Sequence, residues 1–320
     1  MNMDQKGYLN NLSGREIIRK YRKLLHIPDN VHIDPDMIQK HWNLEVELAR
    51  RLIKSSPETR WETSRSVYTR FYRELPWLNE ATSCPRDSKE RENKFIELVG
   101  PSPMKIYEIG SGTGDLLFRL AETGHDCRGC DITAERGESQ SRKHPRLNYG
   151  TCDGVHLHRF EKENQYDVVI SSNVLEHLHP DDLMPHLRSV TRILKKGGRY
   201  ILKTPHALFG PNGIESLLGV RCHVGLHLKE YCITDLRKAA GPAGFERLET
   251  VFLLPNPLKR IIPIKIKTRS FRIYTSYLLL LESIIRFCPT DLLKKSLSFL
   301  FRFILLPRVV FIVLFKPVDS

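Results

Sequence analysis

Nothing in this 320-residue chain is apolar for long enough, and clean enough, to cross a bilayer. The longest hydrophobic run, "SLSFLFRFILLPRVVFIVLF" over 296–315, is broken by Arg302, Pro307 and Arg308, so it reads as a helix end followed by a strand. The N-terminus lacks the apolar core of a secretory signal, which predicts cytoplasmic residence. Internal repeats and low-complexity tracts are also missing. Cysteine is sparse and odd in number, seven in all, and in that compartment reduced thiols are expected. "CRGC" at 127–130 has the spacing of a zinc half-site, but no second pair follows, and Cys222, His223 and Cys232 complete no recognisable set. Buried strand cysteines are the expectation, with no metal site. Acidic residues are outnumbered, 37 against 50 basic ones, for a formal charge of +13. The deficit is local: from Pro257 to the end, 12 Lys or Arg face only Glu282, Asp291 and Asp319. A basic tail rich in Leu, Ile and Phe suits an anionic membrane surface or an acidic substrate, as well as plain solubility.

What is present is a folded composition, 41% hydrophobic and 27% charged. Three regions follow from the pattern: a helical region over 1–95, a core over 96–256, and a basic, apolar helical insertion with a final strand over 257–320. In the first, "MIQKHWNLEVELARRLIKS" repeats Met37, Trp42, Leu44, Leu48, Leu52 and Ile53 at roughly helical spacing, and "ETSRSVYTRFYRELPWL" continues with Val67, Phe71, Tyr72 and Leu75 until Pro76. This fits a cap over an active site or an amphipathic helix packed on the domain surface. From Pro101 short apolar runs alternate with helical patterns, as βα units do. Strands are expected at "KIYEIG", "DCRGCDI", "RLNYGTCDG", "YDVVISSN", "RYILKTP", "ERLETVFLL" and "RVVFIVLFKP". Between the last two lies a helical insertion near 270–305. "HPDDLMPHLRSVTRILKKGG" reads as a helix with Leu183, Leu187, Val190 and Leu194 on one face, closed by Lys195, Lys196 and Gly197.

The chemistry centres on "KIYEIGSGTGDLLFRL", a strand running through three alternate glycines into a helix. That arrangement brings bare backbone amides up to a ligand at the carboxyl ends of the strands. A dinucleotide fingerprint needs G-x-G-x-x-G/A; here Gly110, Gly112 and Gly114 are followed by Asp115, and an acid there disfavours a diphosphate. Glu108 offers a negative charge to an ammonium group. Asp131, at the tip of the second strand, can accept hydrogen bonds from both hydroxyls of a ribose. Asp153 suits an exocyclic amino group. Taken singly, each acid is as readily a loop cap or turn residue.

In order, "YEIGSGTG", "GCDI", "CDG", "YDVVISSNVLEHL" and "LKKGGRYILKTP" resemble the class I S-adenosylmethionine-dependent methyltransferases over about residues 100–255. The resemblance implies an α/β, Rossmann-like, seven-stranded, mostly parallel sheet flanked by helices, with S-adenosylmethionine bound by its first half. It implies that Glu108, Gly110, Gly112 and Gly114 cradle the methionine part, Asp131 the ribose, and Asp153 with Gly154 the adenine edge, with Ser111 and Ile132 also among the cofactor-binding residues. Ser172 and Asn173 would line the pocket.

Methyl transfer to a hydroxyl is helped by a base, and His177, His206 and His227 stand where the resemblance puts substrate, His177 first among them. A hydrogen-bonded structural imidazole is the competing role for each. Asn173 replaces an acid that metal-dependent relatives use, so metal-independent O-methylation is expected. "SNVLEH" stands where base-modifying enzymes carry an Asn/Asp-Pro-Pro-aromatic stretch, which argues against nucleic acid. Residues 204–245 resemble methyltransferases of polysaccharide and glycolipid biosynthesis, which implies a small-molecule, sugar or lipid-linked glycan acceptor. Together with the basic tail, this predicts a cytoplasmic protein with peripheral membrane contact. Two other readings are a non-catalytic, membrane-associated scaffold and an NAD(P)-dependent sugar oxidoreductase or epimerase; the chain has no Tyr-x-x-x-Lys pair for the latter.

Overall fold

Strands buried on both faces require helices on both sides of their sheet. The computed structural model describes residues 14–78, 85–134, 143–220, 222–252, 268–290, 293, 296–297 and 307–318. Two compact units emerge, Met1–Arg91 with Gly210–Lys229, and Glu92–Phe209 with Glu230–Ser320.

The first unit is helical: α1 (Gly14–Leu25), α2 (Pro35–Ile53) and α3 (Arg60–Glu74). Asp34 starts α2, its side chain accepting the Met37 amide at 2.9 Å. Of the face expected on α2, Trp42, Leu44, Leu48 and Leu52 are buried, whereas Ile53 is exposed. The same face also buries His41 and Glu45.

The second unit begins within α4 (Pro85–Val99) and holds β1 (Lys105–Ile109), α5 (Asp115–Glu122), β2 (Asp126–Asp131), β3 (Leu147–Thr151) and β4 (Tyr166–Ser172). It continues with α6 (Leu183–Ile193), β5 (Leu194–Pro205), α7 (Ile233–Ala240), β6 (Arg247–Val251), β7 (Ser270–Phe271), α8 (Arg272–Arg286) and β8 (Val309–Phe315). One sheet takes the order β3-β2-β1-β4-β5-β8-β6-β7. The first five strands pair in parallel, and β8 runs antiparallel to both β5 and β6. The sheet has eight strands rather than the expected seven because β7, two residues long, adds an edge to β6. A strand that short carries no readable period. The last strand is not peripheral: residues after 256 supply β8, between β5 and β6.

Alternation along each strand builds two cores. Ile106, Val168, Ile170, Ile201, Phe311 and Val313 pack with Phe95, Val99, Leu117 and Leu120 on one face. Tyr107, Val169, Tyr200, Leu202, Ile312 and Leu314 pack with Leu187, Val190, Leu236 and Leu278 on the other. The two cysteines of "CRGC" go to opposite faces, Cys127 to the first core and Cys130 to the second, so they form no zinc half-site.

Two local expectations are corrected. The helix expected to reach Gly197 stops at Ile193, and Leu194 already pairs with Tyr166 on β4. Lys195 is drawn out to Asp167 at 2.7 Å, and Lys316 after β8 caps the helix end by donating to the carbonyls of Thr191 and Leu194 at 2.9 and 2.7 Å. Nor are all the thiols free: Cys130 and Cys152, at the ends of β2 and β3, are joined as a disulfide with Cα atoms 5.8 Å apart. Of the helical insertion, α8 is described; residues 298–306 lie outside the described residues.

Candidate active site

β1 lies between β2 and β4, so successive connections leave it toward opposite edges of the sheet. At such a switch point a crevice opens beyond the carboxyl ends of the strands. The glycine loop follows β1 there. Gly110, Gly112 and Gly114 all have positive φ, +68°, +52° and +73°, which side-chain-bearing residues rarely adopt. Close packing holds two of them: a Cβ on Gly110 would sit 2.6 Å from Val174 Cγ2, and one on Gly114 would run into the Tyr149 hydroxyl. A Cβ on Gly112 would meet no atom of the chain within 4 Å. The loop is therefore packed from behind and open at its centre, as a cradle for a closely approaching ligand must be.

Asp131 holds this loop. Its Oδ2 accepts the Gly112 amide at 2.9 Å and its Oδ1 the Ile132 amide at 2.8 Å. Each carboxylate oxygen keeps a second lone pair, enough for a ribose diol. Ser111 donates its amide to the Cys130 carbonyl at 3.0 Å, tying the loop to β2. Glu108 is buried on β1 beside it, and its charge helps push the Tyr149 and Cys127 protons toward higher pKa after burial, the larger cause; the Cys127 thiol reaches about 12.

After β3, Asp153 is buried and accepts the Val155 amide at 2.8 Å, with His156 Nδ1 2.6 Å from its other oxygen. Gly154 presents its carbonyl to His186 Nδ1 at 2.7 Å. His186 continues to the Tyr200 hydroxyl at 3.0 Å, and Tyr200 to Ser171 Oγ at 2.6 Å. This buried chain fixes the loop after β3 against α6, β5 and β4. Burial lowers the His186 pKa to about 4, outweighing the Gly154 carbonyl and the Asp153 charge, so the ring is neutral at physiological pH.

Ser172 ends β4. Asn173 follows with φ +58°, its side-chain oxygen accepting from Lys203 and its amide donating to the Lys203 carbonyl at 2.8 Å. Next come Val174, which packs on Gly110, and the single turn Leu175–His177. Glu176 turns inward, fully buried, and accepts from Thr204 Oγ1 on β5 at 3.1 Å. His177 is half-buried.

The other two histidines are placed differently. His206, just past β5, has no exposed surface; its Nδ1 accepts the Leu208 amide at 3.2 Å and its Nε2 lies 2.6 Å from Glu282 of α8. Glu282 also accepts the Ile233 and Thr234 amides at 2.7 and 2.9 Å, capping α7. Cys232 is within ligand distance of the pair, but burial, reinforced by Glu282, pushes its thiol up to about 12. A protonated thiol and a carboxylate already committed to a helix cap make this a clip between β5, α7 and α8.

His227 belongs to the first unit. There Trp77 donates to the Tyr21 hydroxyl at 3.0 Å, Tyr21 lies 2.8 Å from His41 Nδ1, and His41 Nε2 lies 2.9 Å from Glu45. Glu45 accepts the Leu226 amide at 3.0 Å, while Glu215 accepts those of Val224 and Gly225 at 3.2 and 2.8 Å. Burial alone would raise the Glu45 pKa; the His41 bond and charge, the Leu226 amide and the His227 charge outweigh it and hold the carboxyl below its ordinary value.

Thus one unit gathers Glu108, Gly110, Ser111, Gly112, Gly114, Asp131, Ile132, Asp153, Gly154, Ser172, Asn173 and His177 at the carboxyl ends of β1–β4. Sequence reading missed Tyr149, which donates to the Gly114 carbonyl at 3.0 Å, and the His186 chain. His186 was findable: it lies three residues after Leu183 and four before Val190, on the buried face of α6.

Known proteins bear on this geometry at two levels. Residues 107–202 match the family described as "Methyltransferase domain". The chain is 29% identical over 199 residues to the ubiquinone biosynthesis O-methyltransferase of Psychrobacter arcticus, a match covering 58% of this chain and 75% of that protein. In fold it is similar to an S-adenosylmethionine-dependent methyltransferase of Archaeoglobus fulgidus, with TM-score 0.50, 18% identity, 78% of this chain and 99% of that one. The crevice, its glycine cradle and the matched domain define a class I S-adenosylmethionine-dependent methyltransferase. S-adenosylmethionine is its cofactor, and the reading as a nicotinamide-dependent oxidoreductase falls.

Proposed function

We propose that this enzyme methylates a hydroxyl oxygen of a small-molecule acceptor without a metal, with His177 as the general base. The observation that carries the reading is the packing of Val174 on Gly110, which sets the turn bearing His177 directly against the cofactor loop. When bound, S-adenosylmethionine supplies an electrophilic sulfonium methyl. The residues then need only align an acceptor, exclude water and take one proton. Glu108 and the loop amides hold the aminoacyl end, Asp131 the ribose, and Asp153 with Gly154 the adenine edge. His177 accepts the hydroxyl proton as the oxygen gains the methyl. His206, with both nitrogens engaged and no exposed surface, acts as a positioning residue for α7 and α8. The O-methyltransferase named among the similar proteins supports oxygen as the atom methylated.

The acceptor test uses labelled cofactor with phenolic, sugar and lipid-linked glycan fractions. Label in a base-stable ether supports the reading; label on nitrogen or carbon contradicts it. His177→Gln should reduce kcat by roughly 10²–10⁴-fold with S-adenosylmethionine affinity unchanged. An unaltered kcat assigns the proton elsewhere.

A further inference from the structure

α8 buries one face in its own unit, through Tyr274, Leu278, Leu281, Glu282 and Ile285. The face next to it, roughly a third of a turn round the helix, is also apolar. Ile273, Tyr277, Leu280, Ile284 and Phe287 follow one another at i, i+4, i+7, i+11 and i+14, a single line along the helix about 21 Å long at 1.5 Å per residue. Ile273 and Phe287, at its two ends, are each 87% exposed, and Leu280 and Ile284 between them 58% and 40%, while Tyr277 is half-buried against the unit's own core. Scattered exposed apolar residues need no explanation, but a contiguous stripe does.

We propose that this stripe docks the protein onto an anionic lipid surface, with α8 lying in the plane of the interface. Charge selects the occupant. Exposed Arg269 and Arg272 stand at the start of the helix and Arg286 at its end, Arg272 3.5 Å from Glu249 and Arg286 2.8 Å from Asp235, in a segment whose 12 Lys or Arg face only three acids. A second copy seated on the same face would bring two such cationic segments together, at an electrostatic cost. An anionic bilayer neutralises them and takes up a single convex ridge without needing a complementary groove. Ser276 and the half-buried Ser283 border the stripe and leave it a polar edge at headgroup level. The inference is independent of the acceptor and of His177.

The test is sedimentation of the full-length protein with vesicles of phosphatidylcholine alone and of phosphatidylcholine with phosphatidylglycerol. The wild type should bind the anionic vesicles and lose binding as salt shortens the Debye length from about 10 Å at 0.1 M to about 3 Å at 1 M. Ile273→Glu/Phe287→Glu should weaken partitioning by roughly tenfold or more while S-adenosylmethionine binding is retained. Leu280→Ser, at an exposed position, is a second variant should the first fold poorly, with a smaller loss in the same direction. No vesicle binding by the wild type, or equal binding by both variants, overturns the proposal. So does a dimer that the substitutions dissolve, or capture of an acidic protein in place of lipid.

Discussion

Asp131 shapes the loop through the Gly112 amide, and in the function proposed above it also holds the ribose. Charge-assisted bonds of this kind contribute about 1.5–3 kcal/mol each, so Asp131→Ala should weaken S-adenosylmethionine roughly ten- to hundredfold by calorimetry. Unchanged affinity would mean the ribose is held elsewhere. Gly114→Ala imposes a left-handed backbone on a side chain, about 1–2 kcal/mol, and displaces Tyr149; urea unfolding should show the loss, with part of it recovered in Gly114→Ala/Tyr149→Ala. His186 gives a pH signature. Its folded pKa, about 4, lies below that of a free histidine, so the unfolded chain binds the extra proton between about 6.5 and 4. Its contribution to stability is therefore complete above about 6.5 and falls by about 1.4 kcal/mol per pH unit below it. His186→Gln should flatten the thermal stability profile in that window; an unaltered slope would mean the ring protonates freely. At this scale the glycines were legible because their spacing encodes backbone geometry. Tyr149 was not, since nothing local says which ring a loop will rest under.

Among elements, the least legible feature was the clip from α8 to α7. Glu282 is 49 residues from the first amide it caps and 76 from the histidine it binds. No sequence window spans that separation, and His206 therefore read as a candidate base. Glu282→Ala strips partners from His206, Thr234 and the first amides of α7, so a loss on the order of 3–5 kcal/mol is expected in denaturant unfolding. Glu282→Gln, which keeps an acceptor oxygen, should lose less. A neutral Glu282→Ala would show that the cap contributes nothing. The βα alternation, by contrast, was readable throughout β1 to β5, because the central strands β1, β4 and β5 are buried as short apolar runs and turn residues flank all five. The end of α6 was misplaced for a tertiary reason: Lys316, just after the last strand, takes over carbonyls that a longer helix would have satisfied itself.

For the whole molecule, the basic C-terminal region is part of the sheet. A chain ending at Asn256 lacks β8, leaving β5 and β6 without their shared neighbour. It should lose cooperative unfolding and bind no cofactor; a truncated chain with native affinity would contradict the observed strand order. Among the described residues no helix is long and apolar enough to cross a membrane. Composition had located the charge surplus correctly but could not say that a helix there would pack one apolar face and expose another.

Calorimetric titration of the intact protein with S-adenosylmethionine, alongside NAD, tests the central claim most directly. Saturable one-site binding of S-adenosylmethionine, weakened by Asp131→Ala, with no heat from NAD, is the predicted result. No S-adenosylmethionine binding, or binding of the diphosphate cofactor in its place, would contradict the assignment of the crevice.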